Sequence, residues 1–411
     1  MPVDERTLPV AELRPGMWVS RLDRDWLGTP FPMQGFLVKD AEDVRRLAEF
    51  CREVVIDVSP ERRQETRRPL MSLEGSRVGG VPLRKVLPYP VRHEVRAELD
   101  GARKAKIDML ALAKDLEADL KAGRPIELER VQTSVEGLVA SVLRNPDAIF
   151  WLLGLVRRDH YAHHHALQCS ALAAAFGRHL AMPRDMILDL ATGGFLLDAG
   201  MSKVPPELLA HRGPLDEEQR GRVRAHVETG LRILHHAGLM RPAITEMIAG
   251  HHERHDGSGY PRGLVGEDIP LAARIAGLVD SYDAMINDRP YRPAMAPHAA
   301  LQALYRERET LFQEEVIEHL LQCLGVYPTG SLVELSNGEV AVVMAQNPAR
   351  RLKPRVMVLM SPEKRLYQRF VDIDLMQVDN DASGRPGLMI TAALPAGAHG
   401  LDQADLFLGQ D

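Results

Sequence analysis

Cysteine is nearly absent: only Cys51, Cys169 and Cys323 occur in 411 residues, far apart and without a Cys-x-x-Cys pair. An odd, scattered set excludes a disulfide framework and a thiolate zinc site, and suits small core residues in a reducing compartment. Long apolar runs are lacking as well, so no stretch reaches the ~20 residues a spanning helix needs. The N-terminus, with Asp4, Glu5 and Arg6, has no apolar core of the kind that directs secretion. A cytoplasmic chain with no membrane partner is therefore expected. Nor is there a large excess of one charge. A formal net charge of -6 gives no electrostatic basis for holding a nucleic-acid polymer, but leaves room for a small anionic ligand on a local basic patch.

At 411 residues the chain exceeds the size at which one core stops growing, so two or three domains are expected. Residues 1–60 alternate short apolar runs such as Met17-Trp18-Val19 and Val54-Val55-Ile56 with turns. Between the runs, Val44, Leu47, Ala48 and Cys51 recur at helical spacing, which predicts a small α/β module. Residues 61–92, rich in arginine, proline and glycine, resemble a flexible linker. A helical connector is expected over 93–148, with stripes at Met109, Leu110, Leu112, Leu116 and Leu120 and at Val131, Val135, Leu138, Val139 and Val142. An all-helical domain should follow over 149–325, with helices at 162–180, 186–197, 217–236 and 271–286. Over 326–378, Asn337-Gly338 between alternating apolar runs is a hairpin pattern, and residues 355–360 form a further strand candidate. This makes a β-rich segment, with a less ordered tail over 379–411. The fold class expected is mainly α, a helical core flanked by a small N-terminal α/β module and a small C-terminal β-rich segment.

Twelve of the sixteen histidines fall between His160 and His255, a concentration that points to function. The densest stretch is His251-His252-Glu253-Arg254-His255-Asp256-Gly257-Ser258-Gly259-Tyr260-Pro261, a histidine pair and acidic residues running into a glycine-punctuated loop. Imidazole and carboxylate together suit iron, manganese, zinc or nickel, whereas magnesium prefers oxygen. The best-placed ligands are His165, Asp198, His226, His251, His252 and Asp280, each on or at the end of an expected helix. Six ligands could hold two ions, and a carboxylate bridging them suits phosphodiester hydrolysis. Asp198 is the candidate bridge. Gly257 and Gly259 permit loop geometry that other residues resist, and Tyr260-Pro261 would stiffen the loop's exit. Glu253 and Asp256 either orient the histidines or cap the loop.

The order of these residues resembles the HD-GYP family, the branch of HD phosphohydrolases that hydrolyses cyclic di-GMP. The resemblance covers about residues 150–325. It rests on Tyr161-Ala-His-His-His165, His226-Val-Glu-Thr-Gly230, the His251 to Pro261 loop, Arg274-Ile275 and Asp280-Ser-Tyr-Asp-Ala284 leading into Asp288-Arg-Pro-Tyr-Arg292. Gly16-Met17, Trp26, Thr29-Pro30-Phe31 and Gly35-Phe36 also resemble a domain of unassigned function often found ahead of HD-GYP domains. The resemblance implies a helical HD fold, one or two transition-metal ions on His165, Asp198, His226, His251, His252 and Asp280, and cyclic di-GMP as ligand. It implies phosphate contacts from Arg289 and Arg292, whose planar forks suit phosphate oxygens, and stacking by Tyr291. Gly257, Gly259 and Tyr260 would shape the substrate side. Tyr161 stands where some members carry a glutamate for a third ion, so two ions are the ceiling.

This chain departs from the family pattern at two places. Leu197 stands where the ligand histidine before Asp198 belongs, and Met201 stands where the family has a lysine that assists catalysis. One ion thus loses a nitrogen ligand, while the other keeps Asp198, His226 and the histidine pair. Lys203, two positions beyond Met201, is with Asp198 the remaining catalytic candidate. His163 and His164 project roughly 200° and 100° away from His165 on one helix and cannot compensate. The expected function is hydrolysis of cyclic di-GMP to linear pGpG, and on to GMP, at reduced rate. The alternative is an inactive module that binds cyclic di-GMP or a signalling protein through the Gly257 to Pro261 loop. A third reading is an HD phosphohydrolase acting on another nucleotide.

Overall fold

The N-terminal strands Glu5–Pro9 (β1), Trp18–Leu22 (β2), Phe36–Leu37 (β3) and Glu53–Asp57 (β4) form an antiparallel sheet in the order β1-β4-β2-β3. Helix α1 (Ala41–Phe50) begins where Asp40 accepts the backbone N–H groups of Glu42 and Asp43, satisfying donors that the first turn leaves free. Leu47 and Cys51 then bury against Leu8, Val10, Val19, Val54 and Ile56. The expected α/β module is present. Strand β1 lies in a more polar stretch than the runs that predicted the other strands. The computed structural model describes residues 5–24, 36–38, 40–57, 73, 76–83, 88–154, 161–211, 213–288, 293–347, 352–377 and 387–401. Trp26, Thr29-Pro30-Phe31 and Gly35 of the N-terminal resemblance lie outside them, as does most of the linker stretch.

The chain divides into two units, residues 1–74 and 75–411. The second opens with a short hairpin of Arg77–Val78 (β5) and Val81–Pro82 (β6), and the Gly79 N–H donates to the Glu246 carboxylate at 2.9 Å. This part of the expected linker is therefore ordered: the Gly79-Gly80 pair makes a tight turn, both residues at positive φ. Helices α2 (Val95–Lys121) and α3 (Leu128–Arg144) follow. They bury Met109, Leu112 and Leu120 and Val131, Val135, Leu138, Val139 and Val142, as their stripes predict. They also share a buried carboxylate, Glu98, which takes a bidentate pair from Arg144 at 2.7 Å and the Ser141 hydroxyl at 2.9 Å.

After α4 (Pro146–Gly154) come the helices that carry the histidine-rich part: α5 (Tyr161–His179), α6 (Arg184–Leu196), the short α7 (Pro206–Leu209), α8 (Glu217–Arg224), α9 (His226–His236), α10 (Pro242–Gly250) and α11 (Leu271–Ile286). The alanine-rich face of α5 is buried against α6, where the Ser170 hydroxyl reaches the Ala191 carbonyl at 2.7 Å. The expected single helix over 217–236 is two helices. Ala225 closes α8 by donating its N–H to Gly221 and Val223, and this break has a consequence at the site. Helices α12 (Pro297–Arg306) and α13 (Glu314–Leu324) complete the helical part.

The C-terminal strands Leu332–Leu335 (β7), Val340–Ala345 (β8), Arg355–Met360 (β9), Leu366–Asp374 (β10) and Ile390–Leu394 (β11) form an antiparallel sheet in the order β10-β9-β8-β7-β11. Gly338 turns the predicted hairpin at φ +83°. Strand β11 was not expected. It lies in an alanine-containing stretch read as tail, and its order comes from pairing with β7 rather than from local propensity. Among the described residues no helix is long and apolar enough to cross a membrane.

Candidate metal centre

Five chain segments meet at one place. His165 sits one turn into α5; Asp198 follows the end of α6; His226 opens α9; His251 caps α10 with His252 beside it; Asp280 lies in α11. His165, His226 and His251 are at most 3% exposed and Asp280 is 8% exposed. Asp198 keeps about a third of its side chain exposed. Its turn packs closely on α9: a Cβ on Gly200 would overlap the His226 carbonyl oxygen and crowd the Gly230 nitrogen. Only glycine lets the two backbones approach this far.

The imidazoles are aimed by their outer nitrogens. His226 Nδ1 lies 2.7 Å from the Val223 carbonyl and His251 Nδ1 lies 3.0 Å from the Ile248 carbonyl. The break at Ala225 offers the Val223 carbonyl to the histidine at the start of α9. On His165, Nδ1 is 2.6 Å from Asp283 Oδ2. Hydrogen bonding to these acceptors places the proton on each Nδ1 and turns each Nε2 inward.

The inward atoms form two donor sets that meet on one carboxylate. Asp198 Oδ1 stands 3.5 Å from His226 Nε2 and 3.8 Å from His251 Nε2, while Asp198 Oδ2 stands 3.4 Å from His165 Nε2. His165 Nε2 is also 3.5 Å from Asp280 Oδ1. Donor atoms of Asp198, His226, His251 and His252 all lie within 4.8 Å of one another. The Nε2 atoms of His226 and His251 are 3.3 Å apart, which is roughly the spacing of two ligands bound at ~2.1 Å to one tetrahedral ion. Two lone pairs facing each other at that distance repel unless a cation stands between them. The donor set fits a transition metal.

Electrostatics agrees. Burial lowers the pKa of His251, and burial together with the adjacent His251 and His226 lowers that of His252 well below the ordinary histidine value, leaving both neutral and ready to coordinate. Burial alone would raise the Asp198 carboxyl, but the His165 hydrogen bond and the neighbouring imidazoles hold it well below the usual carboxylate range. Burial would lower His165, yet Cys169, Asp198 and Asp283 outweigh it and raise that histidine well above its ordinary value. Whatever draws a proton to His165 also draws a metal cation, and the two compete for one lone pair.

The glycine loop closes over the histidine pair. Gly257 has φ +80°, and a Cβ on Gly259 would run into the Arg254 nitrogen and the His252 carbonyl. Tyr260 stacks on His252 with ring centroids 4.5 Å apart, and Arg224 lies 4.9 Å over the other ring, that of Tyr260. Glu253 caps the loop: its two oxygens accept the backbone N–H groups of Arg262 at 2.8 Å and Leu264 at 2.9 Å. Asp256 turns the loop tip by accepting the Ser258 N–H. Replacing Glu253 with alanine strands two backbone donors, so unfolding stability should fall by about 2–4 kcal/mol. A chaotrope titration with an unchanged midpoint would contradict this role.

His165, Asp198, His226, His251, His252 and Asp280 are thus brought together, with Gly257, Gly259 and Tyr260 alongside. Lys203 is not drawn in: its amine donates to the Leu120 carbonyl at the end of α2, at 2.6 Å. His163 is bonded to Glu117 at 2.6 Å, away from His165. Arg289, Tyr291 and Arg292 lie outside the described residues. Three contributors escaped the sequence reading. Asp283 follows Asp280 by three, a spacing that puts both on one helix face and could have been noticed. Arg254, which ties down the His251 and Glu253 carbonyls at 2.9 Å, and Arg224 gave no signal beyond being arginines.

Comparison with known proteins gives this arrangement a lineage. Residues 149–316 match the HD domain family, residues 5–131 match a domain of unknown function, and residues 332–380 match a KOW domain associated with HD domain. The chain is 32% identical over 377 residues to a cyclic di-GMP phosphodiesterase of Pseudomonas aeruginosa, covering 90% of this chain and 89% of that protein. It is 35% identical over 154 residues to a cyclic di-GMP phosphodiesterase response regulator of Xanthomonas campestris, covering 37% of this chain and 41% of that one. A 3'3'-cGAMP-specific phosphodiesterase of Vibrio cholerae is 34% identical over 159 residues, 38% of this chain and 30% of the relative. Similarity along most of two whole chains, with the HD domain match falling on the residues that build the centre, makes this chain a member of the HD-GYP family of HD-domain phosphodiesterases.

Proposed function

We propose that the chain hydrolyses cyclic di-GMP to linear pGpG, more slowly than members that keep the histidine and lysine replaced here by Leu197 and Met201. The observation that carries this reading is the shared carboxylate, Asp198, with one oxygen toward His226 and His251 and the other toward His165 and Asp280. Asp198, His226, His251 and His252 would hold one transition-metal ion tightly, and His165, Asp198 and Asp280 would hold a second less firmly for want of a nitrogen at 197. When bound, such ions supply Lewis acidity at a phosphoryl oxygen and lower the pKa of an attacking water.

The protein's own groups do the rest. Arg289 and Arg292 are the expected phosphate contacts and Tyr291 the expected stacking surface for a guanine. The Gly257 to Pro261 loop gives the substrate side its shape, with Tyr260 backed by His252. No lysine serves at position 201, and Lys203 is engaged at Leu120. Protonation of the leaving oxygen therefore falls to solvent, which would cost about 10²-fold or more in rate.

Anaerobically purified protein should carry about one transition-metal ion per chain by elemental analysis and convert cyclic di-GMP slowly to pGpG by chromatography. Tight binding of cyclic di-GMP with no metal and no product would establish the binding module instead. Cleavage of another cyclic dinucleotide in preference would redirect the substrate assignment.

A further inference from the structure

His226 and His251 are aimed by main-chain carbonyls. His165 is aimed by a side chain. Asp283 is fully buried, and its Oδ2 stands 2.6 Å from His165 Nδ1. Its other oxygen is engaged too: Asn287 Nδ2 donates to Asp283 Oδ1 at 2.8 Å and to the Asp283 carbonyl at 2.7 Å. Asp280 and Asp283 share one face of α11 at a spacing of three, and Asn287, the residue that caps the helix, turns its amide back onto Asp283, so a ligand candidate, an orienting carboxylate and the amide that steadies it stand together. The Tyr161 hydroxyl also approaches His165 Nδ1, at 3.3 Å, but the shorter bond to an anion takes the proton.

A metal between His165 and Asp283 is the competing reading, since Cys169 lies near both. The distances oppose it. A separation of 2.6 Å is that of a charge-assisted N–H···O bond, and two ligands of one ion stand farther apart. Cys169 Sγ lies 3.7 Å from both ring nitrogens, so it packs along the imidazole instead of pointing with either lone pair.

We propose that Asp283, steadied by Asn287, is the positioning residue that fixes His165 as an Nε2 donor and so sets the hold on a cation at His165, Asp198 and Asp280. The inference rests on the reading of those three residues as a cation site. The half of the centre served by Asp283 is the half that Leu197 deprives of a nitrogen. There, an anionic partner makes His165 a more basic ligand than a carbonyl partner would.

The test uses full-length protein with and without manganese(II). In metal-free protein, nitrogen-15 spectra should show His165 protonated on Nδ1 with a strongly deshielded proton, and Asp283→Asn should abolish that signal. Titration with manganese(II) should then show the weaker of two sites loosened by ~10–100-fold in Asp283→Asn, with the tighter site unchanged. Asn287→Ala, which leaves the carboxylate in place, should give a smaller loss of roughly three- to tenfold and carries the comparison if Asp283→Asn does not fold. Equal affinity of the weaker site in wild type and variants overturns the inference. A wild type that never binds a second ion instead overturns the cation-site reading. In that case the nitrogen-15 signal alone decides the orientation claim, and its survival in Asp283→Asn overturns that.

Discussion

Asp198→Ala should empty both halves of the centre at once. Among the described residues its oxygens face both donor sets, Oδ1 toward His226 and His251, Oδ2 toward His165. A four-ligand site worth ~10–16 kcal/mol in all loses about 3–4 kcal/mol with one ligand, or two to three orders of magnitude in affinity. His226→Ala removes a donor from one set only and should spare the site on His165 and Asp280. Chelator competition on protein loaded with excess manganese(II) would separate the two cases: loss of both ions in Asp198→Ala, loss of one in His226→Ala. Product formation from cyclic di-GMP should fall by ~10³-fold or more in Asp198→Ala. His163→Ala, whose ring is bonded to Glu117, should change neither metal content nor rate. If Asp198→Ala retained its metal, the bridging arrangement would be wrong.

The helices carrying His165, Asp198 and Asp280 were legible because each is an apolar helix with a polar residue at a fixed place. Helix α11 was expected over residues 271–286 and spans Leu271–Ile286, since Ile275, Leu278 and Val279 leave Asp280 as the exception in a buried face. The histidine pair could be read because it adjoins a loop whose glycines have no other reason to recur. What could not be read depends on bends and main-chain acceptors. The break at Ala225 is not announced by a glycine or proline at that position, yet it sets the Val223 carbonyl against His226 Nδ1. Lys203 illustrates the same limit: sequence places it two residues from Met201, but its direction is set by the Leu120 carbonyl, 83 residues earlier. Strand β11 owes its order to β7, a non-local partner that local composition does not encode.

The opposite experiment adds what the chain lacks. Leu197→His with Met201→Lys should raise turnover on cyclic di-GMP by about 10²-fold, the usual worth of a positioned proton donor. Leu197 ends α6 in helical geometry and is 1% exposed. Histidine has a similar volume and should fit, but a buried imidazole without a partner costs about 1–3 kcal/mol. Metal-free Leu197→His should therefore melt below the wild type, and manganese(II) should raise its melting temperature by more than it raises that of the wild type. Met201 sits one 3₁₀ turn beyond Asp198, its N–H bonded to the Asp198 carbonyl. A lysine there starts beside the shared carboxylate, where Lys203 does not reach. The single variants divide the defect: Leu197→His should restore the second ion with little gain in rate, and Met201→Lys should gain rate only with that ion in place. An unchanged metal count in Leu197→His would mean that position 197 does not face the centre, and the deficiency would then have to lie elsewhere in the site.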